Sequence, residues 1–203
     1  TGKAAPQAVF DCLRAYQNPD GGFGHALEPD SWNPGSTPLQ TWAAAQILRE
    51  TGLPGKSHPL TAGITAYLGS GAAFDGHRWQ GLNTVASNDD FPHAPWWSCT
   101  GAQETSYHPT ASLAGFLLRC TGASSPARAM ACRLAQEAFG YLRQNFPLAS
   151  MHETACFVEL YEDLKACGIR DLLDLEEFRE LLRRQIQAVI TWDTAAWRTD
   201  YVC

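Results

Sequence analysis

Three alanine-rich apolar segments, each opening near a threonine and closing near a glycine, most limit what this chain can fold into. They read TPLQTWAAAQILRETGL at 37–53, YHPTASLAGFLLRCTGA at 107–123 and MHETACFVELYEDLKACGI at 151–169. Thr41, Thr110 and Thr154 mark equivalent points in the three. Gly52, Gly122 and Gly168 stand where a helix needs a C′ residue that accepts positive φ. Pro38 and Pro109 suit a first helical turn or the residue just before it. Glu153 complements the positive end of its helix. Segments this apolar on every side belong inside a fold.

A more amphipathic segment precedes each of them, at 7–16, 58–68 and 127–144, and another opens a fourth unit at 175–190. In the last, Phe178, Leu181, Leu182, Ile186 and Val189 recur at helical spacing, while Glu176, Glu177, Arg179, Arg183, Arg184 and Gln187 fill the other surfaces. That pattern describes an outer helix with one wet face. The expected architecture is all-α: one domain over 1–203, an α/α toroid-like array of helical hairpins forming an incomplete barrel. A loop-rich insertion at 69–106 interrupts it, with GSG, DGH, NDD, WW and CTG and little helical periodicity. The fourth outer helix has no inner partner, and the first unit lacks a preceding one. This predicts either a piece cut from a longer array or a homodimer that closes its exposed edge.

The stretch QNPDGGFG, Gln17 to Gly24, followed by the helix from Thr41, resembles the repeats of the prenyltransferase and squalene cyclase (terpenoid cyclase-like) superfamily. There, a turn of the form Q-x-x-D-G-G-[FW]-G ends an outer helix shortly before an inner one begins. The resemblance implies an α/α toroid with a central cavity, here in a divergent, truncated member. The turn recurs only weakly, as AAFDG at 72–76 and RQNF at 143–146. The family's chemistry transfers less well. SNDD, Ser87 to Asp90, lacks the leading aspartate of the cyclase acid motif, and neither a D-x-C zinc pair nor a D-D-x-x-D magnesium motif is present.

The glycines of 21–24 read as a tight turn rather than a phosphate cradle. No GxGxxG or GxxxxGK, no preceding strand and no nearby lysine accompany them. Asp20 should bind local backbone N–H groups, while Gln17 and Phe23 lock one hairpin against the next. His25, Glu28 and Asp30 follow, on a connection that ends at the cavity rim. His25 is a candidate proton carrier and Glu28 its orienting group or an acid; the plainer reading is loop residues and helix caps. A divalent metal would accept these ligand types, but H-x-x-E-x-D is not a metal signature, and no cofactor is predicted.

The other connections on the same rim carry Asp89, Asp90, His93, Glu104, His108, His152, Glu153 and Asp193. Leu39, His108 and His152 each sit two residues before their threonine and should point alike. Asp89 and Asp90 invite a general-acid role, although neighbouring residues often point apart. The candidate catalytic set is therefore His25, Glu28, Asp30, Asp89, Asp90, His108, His152 and Glu153. Trp32, Trp42, Trp96 and Trp97 are candidates for an aromatic lining, with core packing the alternative for Trp42.

These features point to a ligand-binding or enzymatic domain of unspecified reaction, for an isoprenoid or a carbohydrate. The alternatives are a glycan hydrolase or lyase on an α/α barrel, and a non-catalytic helical-repeat scaffold. The net charge of −6 and the lack of a basic block argue against nucleic acid. Arg14, Arg49 and Arg119 are the candidates for a local positive pocket. No apolar run reaches membrane-spanning length, and no signal peptide opens the sequence. The seven cysteines show no CxxC pair, and five lie in apolar helical patterns. They are expected to be reduced, buried small side chains, which favours the cytoplasm.

Overall fold

The repeat pattern becomes seven α-helices in a computed structural model that describes residues 5–200. They are α1 (Pro6–Leu13), α2 (Pro38–Thr51), α3 (Pro59–Gly69), α4 (Thr110–Cys120), α5 (Pro126–Asn145), α6 (Met151–Ala166) and α7 (Leu175–Val189). Among the described residues, extended pairing is confined to isolated bridges. The fold is all-α.

Helices α2, α4 and α6 lie side by side, and α1, α3, α5 and α7 each pack against that row. Burial follows composition. Helix α4 is covered along its length except at Arg119, because nearly every position is small or apolar. Helix α7 buries Phe178, Leu182 and Gln185 and leaves its acids and arginines in solvent. Ile186, on its apolar stripe, is exposed.

The helix ends differ in how they stop. Gly52 (φ 103°) directly follows α2, and Gly168 (φ 64°) follows one residue after Cys167 caps α6. Gly122 does not take positive φ; α4 ends instead in extended Thr121, whose N–H donates to the Leu117 carbonyl. Glu153 lies in the first turn of α6, but Ser150 is the residue that caps it, accepting from the Glu153 N–H.

The glycine turn is a joint between units. Gln17 donates to the carbonyls of Gly21 (3.0 Å) and of Leu60 on α3 (3.3 Å). Phe23 is fully buried, and its N–H donates to Thr41 Oγ1 at 3.0 Å. Asp20 Oδ1 accepts the Gly22 N–H at 3.0 Å. The second unit repeats this plan across residues 74–81. Phe74 bridges Trp79 as Gln17 bridges Phe23, and the Trp79 N–H donates to Thr110 Oγ1 at 3.0 Å. Asp75 accepts the N–H groups of His77 and Arg78, and Trp79 is the fully buried aromatic. The repeat is therefore better kept than AAFDG alone suggests, since its aromatic lies beyond that string. In the third unit Thr154 Oγ1 accepts from Gln185 on α7, which also binds both backbone groups of Leu148.

A polar hub joins α2, α4 and α6. Arg49 donates to Asp163 (2.7 and 3.1 Å), to the hydroxyl and carbonyl of Ser112 (3.0 and 2.8 Å), and lies 3.4 Å from Glu159. Arg119 donates to the other Asp163 oxygen at 3.1 Å. Arg49 and Arg119 are thus committed to carboxylates, and neither forms an open positive pocket. The six described cysteines are free; Cys120 and Cys156 are buried, but Cys12 is exposed, and Cys132, packed against the edge of the core, and Cys167, at the end of α6, are half-buried. Cys203 lies outside the described residues. Among the described residues, no helix is long and apolar enough to cross a membrane.

Candidate functional site

The long connection at 70–109 does not stand free. It folds back onto the loop at 25–35, and the two make the wall of a cavity beside the N-termini of α2, α4 and α6. Ser31 bridges His93, Trp32 N–H donates to the Pro92 carbonyl, and Ala94 N–H donates to the Asp30 carbonyl. Asn33 Nδ2 donates to Ser87 Oγ and Asn88 Oδ1, both at 2.9 Å. Asn33 Oδ1 also accepts the Gly35 N–H, and Asn88 Nδ2 donates to the Trp97 carbonyl, so short polar side chains satisfy loop backbone groups that no helix pairs.

The resulting cavity has a volume of about 630 Å³. Leu39, His108 and His152, the residues two before each threonine, all line it. Glu28 and Asp30 enter from one loop; Trp96, Trp97 and Leu82 enter from the other; Trp42 comes from α2. The cavity thus unites the candidates Glu28, Asp30, His108, His152, Trp42, Trp96 and Trp97.

Asp30 has a defined task. Its Oδ1 accepts the Trp97 indole N–H and its Oδ2 accepts that of Trp96, each at 2.9 Å. Both oxygens are therefore engaged, and one carboxylate sets the orientation of two rings. Trp97 is buried beneath the loop, while Trp96 is 56% exposed at the mouth. Trp42 donates its indole N–H to Glu159 Oε2 at 3.0 Å, and Glu159 also accepts from Gln46 (2.7 Å) and from Ser112 Oγ.

Two groups in the cavity have shifted proton affinities. Burial, aided by the neighbouring Asp30 charge, raises the pKa of Glu28 above the usual carboxylate value. Burial, aided by His152, pushes His108 down to about 4. His108 Nε2 is sealed from solvent and makes no hydrogen bond to any described residue. Its ring meets Trp42 edge-on at 4.8 Å and lies 5.9 Å from the His152 ring.

The remaining candidates lie outside the cavity lining. His25 is exposed, at φ 59°, and its Nε2 pairs with Asn18 Oδ1 at 2.9 Å. Asp89 accepts the Cys99 N–H at 3.0 Å and sits 3.7 Å from His93. Asp90 is exposed, and Trp32, 59% exposed, donates to the Pro29 carbonyl. Glu153 is buried and accepts the Tyr107 N–H at 2.6 Å, beside a separate cluster in which Arg78 stacks on Tyr107. Burial raises the pKa of Glu153, and its bond to Tyr107 fixes the backbone next to His108. Among the described residues no group of three or more histidine, cysteine, aspartate or glutamate side chains is placed to hold a metal ion.

Glu159, Leu82 and the asparagines at 33 and 88 were not singled out by sequence. Glu159 had a signal: it lies seven residues after His152 and four before Asp163, on one helical face. Comparison with family models, with curated proteins and with solved structures finds no match.

Proposed function

We propose that this chain is a small-molecule-binding domain with acid–base capability, built on an α/α toroid-like array similar to the prenyltransferase and squalene cyclase superfamily. The observation that carries the reading is the cavity itself: three tryptophans and two leucines enclose a carboxyl group and an imidazole with oppositely shifted proton affinities. Glu28 holds its proton more firmly than an ordinary glutamate, and His108 is a free base at neutral pH. One is suited to donate a proton and the other to accept one, within the same enclosure. The apolar walls favour a ligand with a hydrocarbon body and a small polar end.

A glycan hydrolase needs two free carboxyl groups across its cleft. Glu28 is available, but both oxygens of Asp30 already accept indole N–H groups, and Asp89, Asp90 and Glu153 lie outside the lining. This weighs toward the apolar ligand.

The test is titration of the protein with short-chain isoprenoid alcohols and with oligosaccharides, read by tryptophan fluorescence and by protection of cavity amides from exchange. Saturable quenching by the isoprenoids, lost in Trp97→Leu, is expected. Saturation by oligosaccharides alone, or by neither panel, overturns the proposal.

A further inference from the structure

The three tryptophans of the cavity share a bonding pattern absent from the other tryptophans whose indole partners are described. Trp42 donates its N–H to the Glu159 carboxylate, and Trp96 and Trp97 donate theirs to the Asp30 carboxylate. Away from the cavity, Trp32 and Trp197 donate to backbone carbonyls, and the buried Trp79 Nε1 has no partner among the described residues.

An indole N–H bonded to an anion is a charge-assisted donor. As the proton leans toward the carboxylate, electron density is pushed back into the ring and its π face becomes more negative. Faces of this kind attract cations. The effect is strongest at Asp30, which makes no salt bridge among the described residues; Glu159 is partly compensated by Arg49 at 3.4 Å. Among the described residues, no lysine or arginine lines the cavity. Glu28 adds a carboxyl group that a bound cation would favour in its ionised form.

We infer that the cavity takes an organic cation, a tertiary or quaternary ammonium group, seated against Trp42, Trp96 and Trp97 with Glu28 as counter-charge. Methylated ammonium fits because it presents a diffuse charge on an apolar surface, with little hydration to lose on entering an aromatic enclosure. The N-termini of α2, α4 and α6 beside the cavity favour an anion, but in the lining an anionic ligand would meet two carboxyl groups and electron-rich rings. The inference rests on reading the cavity as a ligand site and adds the charge of its ligand.

The test is a matched pair, choline and 3,3-dimethylbutan-1-ol, which share shape and hydroxyl and differ in charge. Both are titrated into the full chain at up to tens of millimolar, followed by saturation-transfer NMR and tryptophan fluorescence. Choline is expected to bind about tenfold more tightly than the alcohol. That ratio should fall severalfold in Trp96→Leu, whose ring is largely exposed and not needed for packing, and in Glu28→Gln. Equal binding of the two probes, or a ratio unchanged in both variants, overturns the cationic assignment and leaves the ligand site standing. Binding of neither probe overturns the cationic assignment as well; the isoprenoid titration then decides separately whether the cavity is a ligand site.

Discussion

Gly21 and Gly63 touch backbone to backbone: a Cβ added at Gly21 would overlap the Gly63 carbonyl group. This contact joins the first glycine turn to helix α3. A Cβ at Gly63 would in turn strike the Gln17 amide that binds Gly21 and Leu60. Gly21 also sits at φ 90°, which L side chains avoid. Gly21→Ala and Gly63→Ala should each lose about 2–4 kcal/mol of stability by denaturant titration. Gly140→Ala, in α5 with open space around it, should instead gain about 0.5–1 kcal/mol. Equal effects at the three sites would show that the joint is not tightly packed.

Removing Asp30 should release the folded-back loop. Asp30→Ala leaves the indole N–H groups of Trp96 and Trp97 without their acceptor. A loss of about 2–3 kcal/mol is expected. Amide exchange over residues 86–99 should rise more than exchange in α4, because the helix core does not depend on this bond. Uniform exchange changes across both regions would contradict a local clamp.

His108 should make the protein sensitive to mild acid. Its folded-state pKa, about 4, lies below the ordinary value of 6.5. As pH falls through that window the unfolded chain takes up a proton that the folded chain refuses, so stability drops by up to about 3 kcal/mol. The raised carboxyl groups Glu28, Glu104 and Glu153 act in the opposite sense, gaining protons in the folded state first. The difference between wild type and His108→Gln isolates the imidazole. It should shrink steadily from pH 7 to pH 4 in the sense of a flatter variant, and the ring resonances of His108 should stay those of a neutral imidazole at pH 5.5. Titration of the ring near its ordinary value would refute the shift.

Arg49 should be among the costliest single charges to remove. Arg49→Leu strands Asp163, only 1% exposed, with Arg119 alone, and removes the cation 3.4 Å from Glu159. About 3–5 kcal/mol should be lost in thermal or denaturant unfolding. Trp42 fluorescence should also shift, since its acceptor Glu159, still held by Gln46 and Ser112, would lose the neighbouring positive charge. A mild effect comparable to an exposed pair such as Arg183 with Glu180 would mean the hub is solvated rather than buried.

Local sequence carried the helices because their signals are local. Prolines open α2, α3 and α5, a wet face and a dry stripe define α7, and small residues fill α4. The spacing of Leu39, His108 and His152 before their threonines placed three positions on one rim, since equivalent points in a repeat face alike. The helical stripes Trp42–Gln46–Arg49 and His152–Glu159–Asp163 were equally legible, but nothing in either stripe says that they face each other. Gly122 followed the composition of a helix end without its geometry, because Thr121 could end the helix in extended form.

The all-α chain of repeated helices and its glycine joint were thus legible in local sequence, while the acids and histidines could be named only as candidates. Which of these share a cavity depends on how distant segments meet. Asp30 looked like a free acid until residues 86–98 folded back and brought two indoles to it across more than sixty positions. Asp89, Asp90 and Glu153 looked equally reactive and were drawn to backbone donors or left in solvent. Helix signals lie within a few residues of one another, whereas a carboxyl group's role depends on which donors and burial meet it from distant segments.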